Sequence, residues 1–158
     1  MQEEFEAADR FSIALEWLLA IQERYPAQLN FGLLNVCLHG REVLGQAYGV
    51  RDAAKMLGEL AGKLRHAFRK TDLVMRDGTD FWILVPYTDP ITVTDKVTTL
   101  LEVTAQNGLA IVDRDVALFT LDMPLMAAAP KSAVPQFLDY LKRHRQVAIG
   151  WQRPAQTS

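Results

Sequence analysis

The sequence has a single cysteine, Cys37, in 158 residues, so it holds no intramolecular disulfide and no Cys-rich zinc module. Basic residues show no excess: 17 Lys and Arg stand against 19 Asp and Glu, which argues against binding nucleic acid through net charge. Long apolar runs are missing too. The stretch Phe11 to Ile21 is the most apolar near the N-terminus, and Glu16 interrupts it well short of the roughly 20 residues a span needs. The opening Met1-Gln2-Glu3-Glu4 is acidic where a secretory leader is basic. The expectation is a cytoplasmic chain with a reduced thiol and no insertion into a membrane. Neither repeats, low-complexity tracts, a P-loop, a dinucleotide fingerprint nor a zinc motif is found. What remains is 49% apolar and 23% charged, enough apolar content for one domain with a real core.

Hydrophobic spacing divides the chain. Phe11, Ala14, Leu15, Leu18 and Ile21 recur at helical intervals within 3–24, a segment that Pro26 ends. Its apolar face is wide and includes Trp17 and Leu19, so it suits the domain's own core or a partner copy. Residues 30–38 read as a central strand and 41–47 as a short helix, stopped at Tyr48-Gly49. Asp52 is expected to cap a helix running to about 69. Strands follow at 73–76 and 80–86 around Asp77-Gly78, a hairpin signal. After a break at Asp89-Pro90, a helix is expected over 93–106, ending near Asn107-Gly108. Paired strands are expected at 109–112 and 115–121, then a loop from Pro124 to Pro130, a helix over 133–145 and a strand at 147–149. The result is an α/β (α+β) pattern with a hairpin at its centre. Its expected division is an N-terminal helical segment 1–28, a domain 29–151 and a polar tail 152–158.

Few residues advertise chemistry. His39, His66 and His144 are scattered. Cys37 and His39 lie two apart at a strand end and could face one way, but two ligands do not close a metal site. The hairpin Arg76-Asp77-Gly78-Thr79-Asp80-Phe81-Trp82 sets charges and aromatics beside a turn. It suits a ligand-contacting surface, or turn chemistry with core aromatics. Upstream, Arg69-Lys70-Thr71-Asp72 sits where a helix gives way to a strand. Basic residues there complement a helix dipole. The same Arg fork and carboxylate could hold a guanine base.

With this run in view, the sequence resembles the GGDEF domain of the diguanylate cyclase family. Leu64 to Pro86 matches the family pattern L…R..D…aR.GGDEF.ill.p, and Tyr48-Gly49 matches its ND.YGH segment, with no gap from Cys37 to Pro86. The signature is degenerate: Gly78-Thr79-Asp80-Phe81-Trp82 stands in its place. The family's D.LTGL.NR segment is missing from the N-terminal part. The resemblance implies a ferredoxin-related, nucleotidyl-cyclase-like core with helices flanking a central, mainly antiparallel sheet.

Active members join two GTP into cyclic di-GMP with divalent metals, which need hard carboxylate oxygens. Carried over residue by residue, the metal Asp of the first strand falls at Cys37 and the signature's second acid at Phe81. The guanine-reading Asn and Asp fall at Gly45 and Ala54, and the second Gly of the signature at Thr79. Asp80 keeps the first acid, and Lys142 stands near the place of a phosphate-contacting Lys. The expectation is therefore no cyclase activity, no catalytic residue, no metal and no cofactor. The resemblance also implies a cyclic di-GMP site, RxxD, at Arg69 and Asp72. The second Arg often supplied by the following helix has no match between 93 and 103, where Lys96 is the only basic residue. The expected role is a regulatory domain in bacterial cyclic di-GMP signalling, with a protein partner or homodimer. The alternative is an interaction scaffold without a nucleotide ligand, using the helix 3–24 or the aromatic hairpin as its surface.

Overall fold

A computed structural model of the chain describes residues 2–26, 29–39, 41–86, 89–106, 108–120, 123–145 and 148–152. The first element is a long helix, α1 (Gln2–Arg24), followed by strand β1 (Gly32–Leu38). Two helices, α2 (Arg41–Tyr48) and α3 (Val50–Ala67), lead into the hairpin β2 (Leu73–Asp77) and β3 (Asp80–Val85). Helix α4 (Pro90–Thr104), a 3-10 turn (Leu109–Ile111) and β4 (Arg114–Thr120) follow. The short helix α5 (Pro124–Ala128), then α6 (Val134–Arg143) and β5 (Ile149–Gln152), complete the order. The sheet runs β2-β3-β1-β4-β5, and every neighbouring pair is antiparallel.

Alternation along the strands divides the core in two. On one face Leu34, Val36, Phe81, Ile83 and Val116 pack under Leu57, Leu60 and Leu64 of α3 and Val97 and Leu100 of α4. On the other, Leu33, Met75, Trp82, Leu84 and Phe119 pack under Phe11 and Leu15 of α1 and Phe137 and Leu141 of α6. The helical period of 3–24 thus marks a face that meets the sheet. Trp17 is not part of it: with Phe5 and Ile13 it points to solvent, 64% exposed.

Several sequence expectations are corrected. Residues 109–112 do not form a strand, because β1 and β5 already occupy both edges of β4. The left-handed Gly108 instead starts a 3-10 turn, closed by the Val112 amide on the Leu109 carbonyl. Asp52 is not the cap of α3, which starts at Val50 behind Gly49; Asp52 lies in the first turn, where its charge suits the dipole. Asp89-Pro90 opens α4 rather than a break: Asp89 accepts from the Ile91 and Thr92 amides, and Pro90 takes the first helical position. Part of the expected Pro-rich loop is α5. Gln152 belongs to β5, opposite Asp115, rather than to a tail. The helix end expected at Asn107, the strand ends at Leu121 and Val147, and the tail beyond Gln152 lie outside the described residues.

Candidate functional site

The hairpin turn is Gly78-Thr79, one residue later than Asp77-Gly78, because Asp77 pairs with Asp80. Gly78 takes a positive φ of 64°, and the Arg76 Nε donates to its carbonyl at 2.9 Å. This register fixes the faces beyond. Phe81 and Trp82 are fully buried on opposite sides of the sheet, so the aromatics are core and do not form a contact surface. Asp80 is buried beside them, facing the α6 side with Trp82.

Strand register then gathers a polar group at one end of the sheet. Cys37 stands opposite Asp80 on one side and Asp115 on the other. The C-terminal end of α6 and the residues just after it supply cations to both acids. Lys142 ion-pairs with Asp80, while Arg145 reaches Asp115 and the Asn35 side-chain oxygen. Asn35 in turn donates to the Phe81 carbonyl at 3.2 Å, and His39 Nε2 meets Asp115. Burial lowers the Lys142 pKa, but the hydrogen bond and charge of Asp80 outweigh that, with Asp77 and Cys37 adding smaller effects; the ammonium ends above its ordinary value.

Cys37 is the opposite case. Burial, then hydrogen bonding and repulsion from Asp80, push its thiol up to about 12. At pH 8 its labelling by a soluble disulfide reagent should be at least about tenfold slower than that of an unperturbed thiol, since the smaller thiolate fraction outweighs the greater nucleophilicity. Labelling at the unperturbed rate would refute the half-buried, protonated state. The folded thiol keeps its proton where the unfolded one, near 9.0, loses it, so stability should fall as pH rises from there towards 12.

These donors do not fit Mg²⁺. A thiol of raised pKa stands between two acids, and both already carry cations, Lys142 on Asp80 and Arg145 on Asp115. Across the sheet, a cavity of about 630 Å³ lies between α2, α3 and the hairpin turn. Gly45, Val50, Ala53, Ala54 and Leu57 line it, with Glu42, Gln46, Arg76 and Thr79. At the two positions where the resemblance puts guanine readers, Gly45 and Ala54, no polar side chain exists to do so.

A second cavity, of about 220 Å³, lies where α3 ends and β2 begins. Arg69 and Asp72 both line it, so the structure does bring the two together. Arg69 is exposed, whereas the Asp72 side chain is fully buried. The Asp72 Oδ2 pairs with Lys96 of α4 and accepts from the Arg69 amide at 3.3 Å, leaving Oδ1 without a hydrogen-bond partner among the described residues. Lys96 thus stands against this site from the following helix. Arg65, Lys70, Phe68, Leu73 and Val74 also line it, with Ala7 and Arg10 from α1. Sequence reasoning missed Arg10, because nothing in its local pattern marks it.

No family model matches the chain, and no curated protein matches it. Solved structures do. The GGDEF domain of YfiN (TpbB) from Pseudomonas aeruginosa aligns at TM-score 0.61 and 15% identity, over 87% of this chain and 84% of that one. The diguanylate cyclase SiaD of Pseudomonas aeruginosa, solved with its activator SiaC, aligns at TM-score 0.59 and 18% identity; 84% of this chain spans 55% of that one. LapD of Vibrio cholerae, solved bound to cyclic di-GMP, aligns at TM-score 0.57 and 16% identity, over 83% of this chain and 29% of that one. The shared property at these identities is the fold: the chain has the α+β architecture of GGDEF domains. Among the described residues no helix is long and apolar enough to cross a membrane.

Proposed function

We propose, taking the GGDEF fold as premise, that this is a catalytically inactive regulatory domain that binds cyclic di-GMP at the Arg69–Asp72 cavity. The observation that carries the binding reading is the exposed basic lining of that cavity: Arg10, Arg69 and Lys70 against one acid, Asp72, which Lys96 already neutralises. An occupant with two phosphodiester charges suits such a surface, and Arg forks suit both phosphate and the N7 and O6 acceptors of guanine. In this reading the exposed Arg69 meets the ligand, and buried Asp72, held by Lys96 and the Arg69 amide, fixes the turn that presents it. A microbial GGDEF domain of the same fold is solved with the same dinucleotide, as is the longer S helix–GGDEF–EAL chain of LapD. Lack of catalysis rests on Cys37, on the Asp80–Lys142 pair and on the unfurnished base cavity.

Titration calorimetry of cyclic di-GMP into the chain tests the binding reading. Low-micromolar binding is expected, lost at least tenfold in Arg69→Ala. No heat and no thermal shift at high ligand would overturn it. Incubation with GTP and Mg²⁺ or Mn²⁺ is expected to yield no cyclic di-GMP, and turnover would overturn the inactive assignment. A second reading, an interaction scaffold, is favoured by the exposed Phe5, Ile13 and Trp17 of α1. A dimer or partner complex that survives Arg69→Ala and dissociates in Trp17→Asp would support that role.

A further inference from the structure

We infer that Arg10 of α1 contacts the occupant of the Arg69 cavity, supplying in the same chain a second guanidinium, and that occupancy therefore ties α1 to the corner between α3 and β2. This rests on the binding reading above.

The cavity is built from segments distant in sequence: Ala7 and Arg10 of α1, the end of α3, the turn after it, and β2. Ala7 is buried, and its small side chain lets the helix lie close to this corner. Arg10 follows one turn later and is exposed. Its neighbour Phe11 is fully buried in the core that holds Met75 of β2 and Trp82 of β3. The backbone at Arg10 is thus anchored, while its side chain stays free to meet a ligand.

Charge points the same way. Asp72 is held by Lys96, so it does not offset the guanidinium groups around it. A helix that brings another cation to such a place is raising the local positive potential, which is repaid when a doubly charged anion binds. Lys96 cannot take that role, because its ammonium is largely buried against Asp72. Arg10 lines the cavity from outside the 93–103 helix, where the resemblance expected a second Arg.

The test is calorimetry on the full chain with cyclic di-GMP and, separately, sodium pyrophosphate, comparing Arg10→Ala, Arg10→Lys and Arg69→Ala. Expected are a Kd for cyclic di-GMP raised about tenfold or more in Arg10→Ala, a smaller loss in Arg10→Lys, and unchanged thermal unfolding of both variants without ligand. Amide exchange over residues 7–15 should slow on adding cyclic di-GMP to the unmodified chain and should not slow in Arg10→Ala. Binding lost in Arg69→Ala yet unchanged in Arg10→Ala overturns the inference and leaves the binding reading standing. Pyrophosphate binding as tightly, with the same dependence on Arg10, keeps the role of Arg10 and overturns cyclic di-GMP as the occupant. No heat from either ligand overturns both.

Discussion

Replacing Lys96 by Ala should destabilise the chain by about 3–5 kcal/mol, the usual result of stripping one partner from a buried ion pair. The Asp72 side chain is fully buried and that of Lys96 is only 12% exposed, so water cannot replace the missing ammonium. The Arg69 amide would still donate to Asp72, but one amide is too little for a charge out of water. The Lys96 ammonium also sits 6.0 Å from the centroid of the Phe68 ring, and the same change removes that cation–π attraction. In the double variant Lys96→Met with Asp72→Leu, most of the stability should return, because no charge then remains to be buried. Urea melts of the three proteins decide this. A single-variant loss below about 1 kcal/mol would mean that the pair is hydrated in solution. Asp72 would then be a more open ligand group than its burial implies.

Trp82→Ala is the second large effect, with an expected cost of about 3–5 kcal/mol for emptying a fully buried aromatic site. The indole packs beside Phe119, with ring centroids 6.0 Å apart. Its N–H finds no hydrogen-bond partner among the described residues. Trp82→Phe removes that unpaired donor along with some volume, so its net cost should be below about 1.5 kcal/mol. Trp17→Ala, on the exposed side of α1, should stay within about 0.5 kcal/mol. Denaturant melts followed by circular dichroism separate the three. Equal losses at Trp17 and Trp82 would contradict the packing of α1 and β3.

Most elements were legible because their signals are local. The apolar period of α1 and α3, the Gly-led hairpin and the apolar run of β1 each belong to a single segment. The expected strand at 109–112 failed for a reason no local pattern carries: β4 had no free edge left. Trp82 could be read as contact surface or as core until the pairing of Asp77 with Asp80 fixed its face. At the candidate site, Arg69 and Asp72 were legible as a spaced pair, and they do share a cavity. That the Asp72 carboxylate turns to Lys96, and that Arg10 arrives from α1, are facts of packing between distant segments. The same holds for Lys142. Its distance from Asp80 in sequence hides a pairing that exists only once α6 lies across the end of the sheet.

The Asp80–Lys142 pair has one more implication, for how the chain experiences its ionic surroundings. A cation fixed to the fold faces its carboxylate at an effective concentration that even a flexible tether would set on the order of millimolar. Dissolved divalent ions must compete against that standing occupant, and the nearby Asp115 is likewise already paired, with Arg145. A divalent ion can enter this corner only by displacing an ammonium that the fold itself presents.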